Sequence, residues 1–228
     1  MASGRDAERN LRALDHALSG TYRDFLREDS QWPTAFFSDT LVVAAPVTRG
    51  EEAFTLEDLI DQARWLQLAL VSERFFVRGA LTLGRIHLHG DLTFGPALVQ
   101  AYGLESQAAV HPRIVLSKSA EAALRSDGPT KSPLAESLIL RDDDGHSFVN
   151  YLGLLLDEPY DVGALFALHQ DRVLDGLTRY RSDRRRWNKY RWVADYHNHV
   201  TGEWEQLTKE SGHQIPHIHT ASGFAQFR

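Results

Sequence analysis

A chain of 228 residues with 43% hydrophobic and 10% aromatic content can bury one sizeable core, so one main domain with an appendage is expected. The absence of cysteine excludes a disulfide framework and thiolate chemistry, and no apolar run approaches the roughly 20 residues that span a bilayer. A net charge of −6 argues against broad nucleic-acid binding, and the polar start MASGRDAERN, which lacks an apolar signal core, fits a soluble cytoplasmic protein with no membrane partner.

Residues 7–28 carry Leu11, Leu14, Leu18, Tyr22 and Leu26 at helical spacing, which predicts an amphipathic helix. Residues 34–45 form two β-rich runs that meet at Ser38 and Asp39, a hairpin with the aspartate at or near its tip. An ionised carboxylate buried alone within FFSDTLVV costs several kcal/mol, so Asp39 belongs on a turn, in a salt bridge or beside a metal ion. A helix follows over 55–72, opened by Thr55 as N-cap with Glu57 and Asp58 in its first turn. Residues 74–94 read as a long strand, a turn at His89-Gly90-Asp91 and a short return strand. Gly79 and Gly84 in that run mark a close backbone approach, either to a ligand or to a helix packed on the sheet. A helix begins after Gly95-Pro96 and HPRIVLS, 111–117, is another strand, giving the order α, ββ, α, ββ, α, β.

Beyond residue 118 a short helix leads into a polar connection with proline and glycine, a plausible domain margin. ESLILRDDDGHSFVNYLGLL is strand, acidic turn, strand; Asp142, Asp143 and Asp144 lack calcium-loop spacing and read as a plain hairpin turn. Two helices, 161–180 and 184–210, complete the chain and cap the sheet. Arg184, Arg185 and Arg186, with Trp187 and Tyr190, form a basic island at 181–191 that suits RNA or a phosphate, or a solvated helix face with aromatic core contacts, the reading favoured here. His213, His217 and His219, with His197 and His199 close by in sequence, have no cysteine or carboxylate at metal spacing and point to a surface tail or docking segment rather than zinc.

FFSDTLVV, FFVRGALTLG and FGPALVQAYGLESQAAVHPRIVLS, in this order and at this separation, resemble the catalytic domain of class III nucleotide cyclases. RGALTLG, GPALVQAYGLE, HPRI and NKYRWVADYHNHV are most similar to the bacterial pyrimidine nucleotide cyclases of Pycsar anti-phage systems, over about residues 10–200. The resemblance implies an α+β fold: a ferredoxin-like, mostly antiparallel sheet with helices on one face over residues 1–120, and a C-terminal hairpin and capping helices over 121–228 packed on that core. It implies two divalent cations, Mn²⁺ or Mg²⁺, held between Asp39 and an aspartate on a preceding first strand that has no counterpart in this sequence. Val99 and Gly103 stand where the family has the asparagine and arginine that meet ribose and phosphate, so Arg78 and Arg113 become the candidate catalytic cations, with a structural ion pair beside the sheet as the alternative for each, and Tyr102 and Gln100 the candidate substrate contacts, with a core role the alternative for Tyr102. Ala35 and Leu92 replace the polar pair that reads purines, which implies a pyrimidine triphosphate, UTP in preference to CTP. The implied product is a cyclic pyrimidine monophosphate read by a separate effector, and the implied partner is a second copy completing a composite site. A catalytically silent, nucleotide-binding or scaffolding domain is the alternative.

Overall fold

The computed structural model describes residues 12, 15, 33–37, 40–46, 55–89, 92–126, 138–154, 162–208, 211–216 and 224–226. Of the helix expected over 7–28, Arg12 and Asp15 are described, and both are helical. Asp39, the Gly90-Asp91 turn, His217 and His219 lie outside the described residues.

Strands β1 (Thr34–Phe37) and β2 (Thr40–Val43) pair antiparallel with Phe37 opposite Thr40, so residues 38 and 39 alone separate them in sequence. Helix α1 (Leu56–Ser72) starts at a capping box: the Asp58 amide donates to the Thr55 hydroxyl, and the Thr55 amide donates to the Asp58 carboxylate at 2.7 Å. Then come β3 (Gly79–Leu81), the hairpin β4 (His87–His89) and β5 (Leu92–Phe94), helix α2 (Pro96–Ala108) and β6 (Ile114–Leu116). Helix α3 (Lys118–Ser126), β7 (Ile139–Arg141), β8 (Ser147–Val149), α4 (Val162–Arg179), α5 (Arg184–Thr208) and β9 (Ala225–Gln226) follow.

The main sheet has the order β3-β6-β8-β7-β9, with β3 and β6 parallel and the other pairings antiparallel. Successive strand residues face opposite sides. Leu81, Leu116, Ile139 and Val149 therefore meet Leu56, Ile60 and Ala120 of α1 and α3 in one apolar cluster. Val115, Leu140 and Phe148 point the other way, into a larger cluster with Phe166, Val173, Val193, Tyr196 and Trp204 of α4 and α5. Helices thus cover both sides of the sheet rather than the one face expected, because each face carries apolar strand residues, and the strands before and after residue 120 share it through the β6–β8 pairing. The fold is mixed α+β, and no helix among the described residues is long and apolar enough to cross a membrane.

The run 74–94 differs from the expected long strand. It breaks after Leu81, and β4–β5 forms a separate two-stranded sheet. Gly84 lies in the break, where a Cβ would come 3.2 Å from the Ala97 methyl, so helix packing rather than a ligand accounts for this glycine. Gly95, at φ 145°, turns the chain into α2 where a side chain would strike the Arg85 carbonyl oxygen at 2.7 Å. Gly176 seats Tyr190: any Cβ there would fall 2.0 Å from the ring, which lets α4 and α5 close on each other.

Candidate functional site

Helix α2 has proline at its first position, where the missing amide costs nothing, yet it buries only Ala97 and Ala108 fully. Its outward stripe runs through Val99, Tyr102, Gly103 and Ser106, one helical face by spacing. Val99 and Tyr102 are each 73% exposed, and Leu92 and Phe94 of the neighbouring β5 are exposed as well. A Cβ added at Gly103 would have nothing within 4 Å, so the glycine leaves a gap in this face that packing within the chain does not require. Gln100, three residues before Gly103, is exposed at that edge of the stripe, where its carbonyl oxygen accepts from the Thr82 hydroxyl at 2.7 Å.

The two candidate arginines occupy contrasting surroundings. Arg78 is partly exposed, pairs with Glu105 of α2 at 2.6 Å and donates to the Ala109 carbonyl oxygen at 3.2 Å. Its partner lies three residues after Tyr102, so Arg78 sits at the rim of the bare α2 stripe. Arg113 is fully buried, and its guanidinium pairs with Asp142 and Asp144 while also donating to the Ala108 carbonyl oxygen at 3.0 Å. The acidic hairpin turn read from DDDG is present, with Gly145 at φ 81°, and it supplies these two counter-ions. Asp142 also accepts from the Trp192 indole at 2.8 Å, tying α5 to the turn. Burial pushes the Asp144 carboxyl up, but the hydrogen bond and charge of Arg113 together with the His146 amide hold it below its ordinary value.

A second polar constellation crosses the α4–α5 interface. His197 Nε2 donates to the His213 carbonyl oxygen at 2.6 Å, so its Nδ1 is free to accept from His169 Nδ1 at 3.0 Å; His169 Nε2 then accepts from the Tyr151 hydroxyl at 2.8 Å. Burial lowers the pKa of both imidazoles, bringing His197 down to about 4, so both are neutral at pH 7. Residues 213–215 are docked by further bonds, including a reciprocal pair between Asn198 and Ile215 at 2.7 and 3.1 Å. His213 thus belongs to a segment docked against α4 and α5, and among the described residues no group of three metal-binding side chains occurs.

The basic island forms the first two turns of α5. Across 179–191 seven cations (Arg179, Arg181, Arg184, Arg185, Arg186, Lys189, Arg191) face one carboxylate within the segment, Asp183, in a chain whose net charge is −6. Arg186 lies over the Tyr180 ring, and Arg191 is 4.0 Å from Asp195. Lys189 has its pKa lowered by burial and then by the positive charges of Arg78 and Arg185, with Glu105 opposing them. Lys189 and Glu105 were invisible to sequence reasoning because their neighbourhood is made by α5 crossing the β3 and α2 side of the sheet. The available signal was the charge run itself.

Among the named candidates, the fold brings Arg78 to the Tyr102 edge of the α2 stripe, leaves Gln100 beside its Gly103 edge, and encloses Arg113 at the C-terminal end of the helix. Comparisons with protein-family models, with curated proteins and with solved structures found no match.

Proposed function

We propose that the chain is a pyrimidine nucleotide cyclase that works as a homodimer, converting UTP in preference to CTP into the 3′,5′-cyclic monophosphate and pyrophosphate. The observation that carries this reading is the bare stripe of α2, where exposed Val99 and Tyr102 flank the open space above Gly103, beside exposed Leu92 and Phe94. An apolar face of this kind on a charged protein calls for a second surface, and the resemblance puts substrate and a second copy against this helix. Residues 1–120 would form the catalytic core, ferredoxin-like in the manner of class III cyclases, and 121–228 an extension that completes its sheet. The product would act as a messenger in anti-phage defence, read by a separate effector.

In the reaction the ribose 3′-oxygen attacks the α-phosphorus, the bond to the β,γ-diphosphate breaks, and the hydroxyl proton is lost. Two divalent cations, with Asp39 as one ligand, would supply acidification of that hydroxyl and charge for the leaving group. Tyr102 offers a ring face and a phenolic hydroxyl to the base or ribose. Arg78 is the candidate arginine with access to phosphate, since the Arg113 charge is already met by Asp142 and Asp144. The alternative, a silent nucleotide-binding domain, draws on Val99 and Gly103, which give α2 no side-chain donor at either position.

Incubation of purified protein with each of the four nucleoside triphosphates and Mn²⁺, followed by mass spectrometry, tests the reading: cyclic UMP is expected to dominate, and Asp39→Asn to abolish it. Cyclic AMP or cyclic GMP as the main product would overturn the pyrimidine assignment. Sedimentation is expected to show a dimer that Val99→Asp dissociates; a strict monomer at micromolar concentration would remove the composite site.

A further inference from the structure

We propose that Arg78, Arg185 and Lys189 form an anion site for a phosphate chain which, on the cyclase reading it rests on, holds the triphosphate of the nucleotide. Two aromatic contacts fix this part of α5. Tyr190 packs edge-on against Phe76 at 5.3 Å, just before β3, and Trp192 stacks on His111 at 5.3 Å, just before β6. Lys189 directly precedes Tyr190 and is partly buried; after burial, the positive charges acting on it most strongly are Arg78, two residues past Phe76, and Arg185, one turn earlier on the same side of α5. The Phe76–Tyr190 contact thus sets the α5 turn that carries Arg185 and Lys189 against the segment that carries Arg78, whose paired carboxylate is Glu105 at 2.6 Å.

Like charges at this spacing repel, and the lowered pKa of Lys189 registers that repulsion after the larger effect of burial. An anion carrying several charges relieves it. Two planar guanidinium forks and an ammonium suit phosphate oxygens, which accept bidentate bonds. The exposed large apolar side chains among the described residues lie at positions 92, 94, 99, 102, 110 and 174, outside the basic segment 179–191, so nothing there would insert into a lipid surface. The site borders the α2 stripe through Glu105, next to positions 99 and 103, which cannot contact phosphate through their own side chains. Arg181 and Arg184 provide an internal control. They belong to the same charge run and are exposed, and Arg184 projects roughly 100° around the helix from Arg185.

Calorimetric titration of the full chain with inorganic tripolyphosphate, without divalent cations, tests the site. Arg185→Ala with Lys189→Ala is expected to weaken binding about tenfold or more, because each charged hydrogen bond contributes about 1.5–3 kcal/mol, whereas Arg181→Ala with Arg184→Ala changes it less than about twofold. If the first pair disturbs folding, Arg185→Gln with Lys189→Gln retains the stems and is expected to show the same loss. Equal losses in both pairs, tighter binding of single-stranded RNA weakened alike by both, or no binding by the unaltered protein would overturn the site in favour of a diffuse basic surface or none. Turnover separates this proposal from the reading beneath it. Cyclic product made by the Arg185→Ala, Lys189→Ala variant with unchanged KM for UTP overturns the site and keeps the cyclase. Tripolyphosphate binding that depends on these residues, with no cyclic product from any triphosphate, keeps the anion site and removes the cyclase.

Discussion

Arg113 and Arg78 donate to adjacent carbonyls at the C-terminal end of α2, those of Ala108 and Ala109, and they finish in opposite ways. Around Arg113 polar groups close on one another: the guanidinium meets Asp142, Asp144 and the Ala108 carbonyl, Trp192 bonds Asp142, and deeper in, the Asn150 side-chain oxygen accepts from the Tyr196 hydroxyl at 2.7 Å. Around Arg78 the surface stays open, with Tyr102 bare and cations in excess of carboxylates. An enclosed charge whose partners are all internal contributes to holding the fold, and little is left for a ligand to gain from it. Charge and apolar surface left unanswered by the chain itself are what a ligand or second copy can use.

The strongest test of this contrast is removal of the enclosed cation. Arg113→Ala strands Asp142 and Asp144 beside a cavity and is expected to lower unfolding stability by about 3–5 kcal/mol, read by urea denaturation. Arg78→Ala is expected to cost less than about 1 kcal/mol, because its pair with Glu105 is partly exposed. Near-equal losses would break the comparison.

Acidification probes the enclosed side again. Unfolded imidazoles take up protons near pH 6.5, while folded His197 resists until about pH 4 and His169 is shifted in the same direction. The unfolded state therefore binds more protons as pH falls from 6.5 towards 4, and stability drops by about 1.4 kcal/mol per pH unit for each histidine engaged. Above pH 6.5 both are neutral in either state and the pair adds no slope. Denaturation midpoints at pH 7, 6 and 5 measure this, and His197→Gln is expected to flatten the dependence. The smallest effect, opposite in sign, belongs to the open side: Gly103→Ala replaces a helix-interior glycine where space is free, and should raise thermal stability by up to about 1 kcal/mol. Destabilisation there would mean that the gap above Gly103 is filled by part of the folded protein.

Elements whose cause is local were legible in the sequence. The Thr55 cap, the proline at the start of α2, and the periodicity of α1, α4 and α5 place helices within a residue or two of their observed bounds. The acidic turn was legible as a turn. That it neutralises an arginine 29 to 31 residues earlier was not, because which charge lies opposite depends on the β6–β8 pairing. Gly176 gave no signal either, since its reason is Tyr190 on the next helix. For the candidate site, Val99 and Gly103 stand out only through the resemblance to class III cyclases, which have asparagine and arginine at those positions. The nearness of Lys189 to Arg78 required the crossing of α5, which no local pattern encodes.

The chain of bonds from Tyr151 through His169 and His197 to the His213 carbonyl has one polarity. Because a carbonyl only accepts, its presence fixes the tautomer of both rings: His197 carries its proton on Nε2 and His169 on Nδ1. The two rings therefore act as an intrinsic spectroscopic reporter. Nitrogen-15 shifts of the imidazoles would register whether the 213–215 segment is seated, since its departure frees both protons to relocate together, with no label on the segment itself.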